Sequence, residues 1–184
     1  MFDVTVAAGV LVALSPLLAV TALAIWLETG RPLFFRQRRY GFNQQEFRII
    51  KFRTMTSLDD GDVVQQARRN DPRITRLGRF LRKWNIDELP QLINVLKGDM
   101  SLVGPRPHAL SHNREYERKI ARYARRHNVL PGITGWAQVN GLRGETDTDE
   151  KMRARVDHDL FYIDNWSPWF DLRILLWTVF SRGE

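Results

Sequence analysis

Between Val4 and Leu27 the chain carries no charge, and its only polar groups there are the hydroxyls of Thr5, Ser15 and Thr21; almost every charged residue lies after Glu28. At about 1.5 Å per residue, such a run forms a helix long enough for a hydrocarbon core of roughly 30 Å. Pro16 interrupts that reading. A proline inside a helix lacks the N–H that bonds four residues back and crowds that carbonyl, so Ser15-Pro16 predicts a kink or break. Two half-helices that enter the membrane and return to the same face are then as compatible with the pattern as a straight span. Arg31, Arg36, Arg38 and Arg39 follow at once and place this flank on the anionic, cytoplasmic leaflet. A signal peptide would also give an apolar start, but no Lys or Arg precedes the run. A buried core helix would show one polar face, which is absent.

Beyond the apolar run the period changes repeatedly. Phe34-Phe35, the turn residues Tyr40-Gly41-Phe42-Asn43 and the β-favouring run Glu46 to Phe52 predict a hairpin within Pro32 to Met55. Ile74, Leu77 and Leu81, flanked by Arg73, Arg76, Arg79, Arg82 and Lys83, predict a basic amphipathic helix. Leu89, Leu92, Ile93 and Leu96 predict a second, ended by Gly98. A polar helix over His112 to Arg126 and another over Thr148 to Ile163, with Met152, Val156 and Leu160 in register, complete the body. Thr56 to Asn70 reads as a polar linker with Asp59-Asp60-Gly61 as its turn. Ser167-Pro168 opens a last helix rich in Trp, Phe and Leu, which suits either a headgroup-level interfacial helix or a terminal helix packed on the body. The fold class is therefore α+β, mainly helical, with an N-terminal membrane helix, a small β element and interfacial amphipathic helices.

Composition narrows the chemistry. The 184 residues contain no cysteine, which excludes a disulfide scaffold, thiolate metal sites and cysteine nucleophiles. The excess of 28 Lys+Arg over 21 Asp+Glu points to an anionic partner: nucleic acid, a phospholipid surface or a phosphorylated substrate. A nucleic-acid binder using Arg68-Arg69 and Arg125-Arg126, or a non-catalytic membrane scaffold, needs neither the acidic pair nor the rigid basic turns described next.

Asp87-Glu88 falls between the two central helices, where Asp87 is a natural N-cap and Pro90 is tolerated in the first turn. A helix start keeps a carboxylate ionised and attracts phosphate, and Arg82 and Lys83 stand just upstream. An ionised carboxylate beside phosphate-binding cations is what attack on a phosphoryl centre requires. Gly104-Pro105-Arg106-Pro107 holds one arginine on a stiff turn, suited to bidentate grip on phosphate. Lys51 and Arg53 share one strand face. The run Pro131 to Gly141 offers Trp136, Gln138 and Asn140, groups able to stack on and hydrogen-bond a planar base. His108 and His112 share a helical face but lack a carboxylate to complete a familiar metal set. Asp147, Asp149, Glu150, Asp157 and Asp159 read mainly as a solvated acidic face, from which one member is available to a metal.

Taken together, Lys51-Phe52-Arg53-Thr54-Met55, Asp71-Pro72-Arg73-Ile74-Thr75, Asp87-Glu88-Leu89-Pro90-Gln91-Leu92, Lys97-Gly98-Asp99-Met100-Ser101, Gly104-Pro105-Arg106-Pro107 and Pro131-Gly132-Ile133-Thr134-Gly135 resemble the bacterial sugar transferases, the monotopic phosphoglycosyl transferases. The resemblance runs in order over nearly the whole chain. It implies transfer of a sugar-1-phosphate from a UDP-sugar to polyprenyl phosphate, with Asp87 as nucleophile, Glu88 as metal ligand or orienting partner, and Mg2+ as cofactor. It makes Lys51, Arg82 and Arg106 phosphate-binding candidates and Asp159 an acidic active-site residue and a third metal candidate; Trp136, Gln138 and Asn140, with Arg143, stand as nucleotide-binding candidates beside it. It also implies a re-entrant helix broken at Ser15-Pro16 over residues 1–30, a cytoplasmic catalytic domain over 31–184, and placement on the cytoplasmic face of the bacterial inner membrane. Arg106-Pro107-His108-Ala109 and Gly141 to Thr146 resemble the subgroup that loads hexose-1-phosphate in exopolysaccharide assembly. The expected partners are a UDP-sugar, polyprenyl phosphate and inner-membrane lipid, without nucleic acid and with a homo-oligomer left open. Relatives often carry further N-terminal membrane helices, so this chain reads as either a short form or a catalytic portion.

Overall fold

The structure is a computed structural model that describes residues 2–57, 71–144 and 148–180. The expected linker turn at Asp59-Asp60-Gly61, and with it Arg68-Arg69, lies outside these residues, as does Asp147.

Helix α1, Phe2–Thr29, is a single element, not two halves. The reason lies beside the proline: Pro16 has no N–H to offer the Val12 carbonyl, and the Ser15 hydroxyl donates to that same carbonyl at 2.8 Å. The side chain thus replaces the missing backbone bond. One side of α1 lies against the body, with Ala7 and Ile25 sealed at 0% and 1% exposure, while Val12, Val20, Leu23 and Leu27 stay open.

The hairpin forms as expected. Strands β1 (Phe34–Tyr40) and β2 (Glu46–Phe52) pair antiparallel, Phe34 opposite Phe52 and Tyr40 opposite Glu46, around a 3-10 turn at Phe42–Gln44. Helix α2, Arg76–Lys83, is capped by the Thr75 side chain, which accepts from the Gly78 N–H. A 3-10 turn, Ile86–Gln91, leads into the short α3, Leu92–Leu96, and Gly98 at φ 79° ends it. Helix α4, Leu110–Lys119, stops short of the expected Arg126. Ile120 takes an extended conformation and turns into a cluster with Tyr116, Tyr123, Met152, Val156 and Leu160, and a 3-10 turn, Tyr123–Asn128, follows. Burial of one apolar side chain has outweighed continued helix. Helix α6, Asp149–Asp164, starts at the Thr148 cap with Met152, Val156 and Leu160 buried as the periodicity predicted, and α7, Pro168–Phe180, starts at Ser167, whose hydroxyl accepts from the Phe170 N–H.

The Gly-rich run is a short strand and one helical turn. Strand β4, Gly132–Thr134, pairs parallel with β3, Ser101–Val103, and α5, Trp136–Val139, follows. Three glycines make this crossing possible. A Cβ on Gly132 would strike the Gly104 nitrogen, one on Gly135 the Gly104 carbonyl, and one on Gly104 the Leu130 carbonyl. Each obstacle is backbone, which cannot swing aside. Gly132→Ala is therefore expected to lower the melting temperature sharply or prevent folding, whereas Gly9→Ala, which meets nothing within 4 Å, changes it little. Comparable melting of the two variants by circular dichroism would contradict this.

Candidate active site

Asp87 and Glu88 sit in the 3-10 turn between α2 and α3. The N-cap position belongs to Asn85, in the left-handed region at φ 54°, so Asp87 lies in the first turn and is not the cap. Left-handed backbone at Asn85 turns the chain sharply enough to bring the acidic pair under β2, against which this turn packs.

The two carboxylates are treated very differently. Glu88 is held from both sides: Lys51 Nζ donates to its Oε1 at 2.7 Å, and Arg106 grips it with both terminal nitrogens, Nη1 reaching Oε2 at 3.0 Å. Burial alone would raise the Glu88 carboxyl, but the attraction of Arg106 and Lys51 and their hydrogen bonds override it and hold the group well below the usual range. Asp87, 7% exposed, accepts no hydrogen bond among the described residues. Burial and then the Glu88 charge raise its pKa, against the pull of Lys51, Arg82 and Arg106. Arg82 keeps one buried guanidinium nitrogen without a partner among the described residues. Of the expected phosphate-binding cations, Lys51 and Arg106 are thus committed to Glu88, and Arg82 has donor capacity to spare.

Asp159 does not join this pair. It is 2% exposed and accepts from Arg126 Nε at 2.7 Å, an equally buried partner. Arg126 in turn donates to the Arg106 carbonyl at 2.7 Å, so the buried ion pair braces the turn that carries Arg106. In the sequence Arg126 stood only as the end of a polar helix and as a phosphate contact for a nucleic-acid binder. Its long-range pairing with Asp159 had no local signal. Among the described residues no three His, Asp or Glu side chains gather as a metal-holding group. The acidic pair still offers Asp87 as an open carboxylate, a donor set that fits a magnesium ion taking most of its ligands from phosphate oxygens and water.

Trp136, Gln138 and Asn140 make their described contacts away from the acidic pair. Trp136 packs on Phe170, Trp177 and Phe161 at centroid distances of 5.0, 5.5 and 6.2 Å, with Arg173 over its ring. Gln138 is buried and donates to the Ile133 carbonyl, and Asn140 donates to the Trp136 carbonyl. No described contact joins these three to Asp87 or Glu88. Arg143 buries its Nε in the loop before α6. His108 meets the Tyr123 hydroxyl at 2.6 Å, and Tyr123 donates to Asn113.

His108 and His127 lie 7% exposed among arginines. Burial first, then Arg126, drives His108 well below the usual histidine range and His127 down to about 4. Both stay neutral in the fold while the unfolded chain takes up protons below its ordinary pKa near 6.5. The stability they protect is present above that pH and lost as pH falls toward 4. The melting temperature is expected to drop between pH 7 and pH 5, and less steeply in His127→Asn; equal slopes would show that His127 is not among the responsible groups.

Set against known proteins, the model of the bacterial sugar transferases matches residues 1–182, and the chain belongs to that family. Over 97% of its length it is 53% identical to a UDP-glucose:undecaprenyl-phosphate glucose-1-phosphate transferase of Escherichia coli (strain K12), and over 95% it is 56% identical to a protein of the same name from Caulobacter vibrioides. Over 98% of its length it is 47% identical to the exopolysaccharide production protein PSS of Rhizobium leguminosarum bv. phaseoli. The chain spans 39% of the Escherichia protein, 66% of the Caulobacter protein and 92% of the Rhizobium protein. The one long apolar helix among the described residues, with the family, marks a membrane-bound protein.

Proposed function

We propose that this chain transfers a hexose-1-phosphate, with glucose-1-phosphate the first to test, from a UDP-sugar to undecaprenyl phosphate in exopolysaccharide assembly. The observation that carries the reading is the asymmetry of the acidic pair. Glu88 is locked between Lys51 and Arg106, which leaves Asp87 without a hydrogen bond among the described residues and beside three cations. The names of the relatives supply the substrates. In the first step an Asp87 oxygen attacks the sugar-bearing phosphorus, and the P–O bond to the uridylyl phosphate breaks with its electron pair leaving on UMP. In the second, a polyprenyl phosphate oxygen attacks the same phosphorus, and the bond to Asp87 breaks, restoring the carboxylate and giving polyprenyl-diphosphate-sugar. Arg82, whose Nη1 has no partner among the described residues, would take the charge that appears on the phosphate oxygens. Asp87, the open member of the pair, would hold magnesium, which when bound supplies further neutralisation of diphosphate charge. Incubating the detergent-solubilised chain with radiolabelled UDP-glucose and undecaprenyl phosphate is expected to give labelled lipid and UMP. Without lipid it is expected to give labelled protein and one equivalent of UMP. Absence of UMP with every UDP-sugar tried, in magnesium buffer, would overturn the reading.

The same proposal sets the topology. Both ends of α1 are tied to one body: Asp3 accepts from the Ser101 hydroxyl at 2.6 Å, Glu28 accepts from the Leu77 N–H at 3.0 Å, and Arg53 donates to the carbonyls of Thr29 and Gly30 at 2.7 and 2.8 Å. A polar body cannot accompany one end across a bilayer. The reading therefore has Asp3 and Arg31 on the same, cytoplasmic side, with the exposed middle of α1 in lipid and the active site at the interface, where a soluble and a lipid substrate meet. A cysteine at position 2, in a chain that has no other, should react with an impermeant maleimide only after the cells are opened. Labelling in intact cells would establish a span.

A further inference from the structure

Among the described residues strand β2 pairs with β1 alone, so its other edge should present unpaired backbone groups. At that edge lies the side chain of Asn94, which is 0% exposed. Its Oδ1 accepts from the Ile50 N–H at 3.0 Å and its Nδ2 donates to the Arg48 carbonyl at 2.8 Å. A primary amide has one donor and one acceptor side, as a peptide group has, and here it takes the place of a neighbouring strand's peptide. The second Nδ2 hydrogen goes to Asp99 at 3.1 Å, which fixes which way the amide faces. Asn94 belongs to α3, directly after the turn that carries Asp87 and Glu88, and the residue next to its Ile50 contact is Lys51, whose ammonium ends on Glu88.

We propose that Asn94 is the positioning residue that sets the register between the Lys51 strand and the acidic pair. This rests on the reading of Asp87 and Glu88 given above. Lys51 reaches Glu88 only if β2 stands at one height against the turn, and the hairpin contacts alone let that edge slide. By holding Ile50 and Arg48, Asn94 keeps Lys51 on Glu88 and not on Asp87, and so leaves Asp87 open to attack phosphorus. It touches no reacting atom.

The test is a double-mutant cycle on the full chain, read as the single-turnover rate of UMP release from UDP-glucose. Asn94→Ala is expected to slow release roughly 50-fold in the native background and less than about 2-fold in Lys51→Ala, because the two act as a unit. If Asn94→Ala does not fold, Asn94→Asp carries the cycle. It retains the acceptor for Ile50 and loses the donors to Arg48 and Asp99. Equal losses in both backgrounds would overturn the proposal and reduce Asn94 to a fold residue. A second readout does not depend on turnover: acylation of Lys51 by an amine reagent, followed by mass spectrometry, should quicken several-fold in the Asn94 variants. An unchanged rate overturns the proposal even if the native chain releases UMP normally. A quickened rate in a chain whose native form releases no UMP sustains the brace while removing the reaction assigned to the site.

Discussion

Asp87→Asn is expected to abolish turnover, by on the order of 10³-fold or more, while the protein melts within a few degrees of the native chain. The amide matches the carboxylate in size but has no anionic oxygen with which to attack phosphorus. Stability should hardly change, because Asp87 accepts no hydrogen bond among the described residues and its burial next to Glu88 is unfavourable. Removing that charge relieves a like-charge contact, and Lys51 and Arg106 remain paired with Glu88. Glu88→Gln provides the contrast. It leaves two part-buried cations with a weaker partner, so it should lose stability as well as rate. The UMP burst and the labelled protein should both vanish in Asp87→Asn. An Asp87→Asn protein that still turns over would remove Asp87 as nucleophile, and one that fails to fold would show that the carboxylate has a structural partner outside the described residues.

What could be read from the sequence was what depends on near neighbours. The apolar run of α1, the hairpin around Gly41, the Thr148 and Ser167 caps and the register of Met152, Val156 and Leu160 are local patterns, and the structure follows them. The departures are long-range. Pro16 announces a break, but the Ser15 hydroxyl covers Val12, so secondary structure continues through it. Helix α4 ends early because Ile120 finds a core that its own segment does not reveal. The motif resemblance singled out Asp87, Glu88, Lys51 and Arg106, and these come together; it could not show that two of the cations are committed to Glu88. The partner of Asp159 lies 33 positions away, and only the fold brings it there. The rings that pack on Trp136, those of Phe161, Phe170 and Trp177, belong to two later helices and left no mark in the Gly-rich run itself.

Asp159→Ala gives the second large effect, and it falls on stability. Arg126 is 2% exposed at its side chain, as is Asp159, and the nearby Arg155 is held down to about 10 by burial and by the neighbouring Arg106 and Arg126. Asp159 is therefore the one carboxylate hydrogen-bonded to Arg126 among the described residues, and its loss strands a buried cation beside others of the same sign. Breaking one side of such a pair costs about 3–5 kcal/mol, which for a chain of this size lowers the melting temperature by roughly 6–20 °C. Asp159→Ala/Arg126→Met removes both charges and should recover much of that loss. Activity should not return with it, because Arg126 also holds the Arg106 carbonyl, and with that bond gone the Pro105–Pro107 turn can shift Arg106 off Glu88. The alternative carried over by resemblance, Asp159 as a magnesium ligand, makes the opposite forecast. On that view Asp159→Ala would melt like the native chain, demand more magnesium for the same rate, and gain nothing from the second substitution. Melting curves and a magnesium titration of the single and double variants decide between a brace and a ligand. The fully buried Arg126 contact favours the brace.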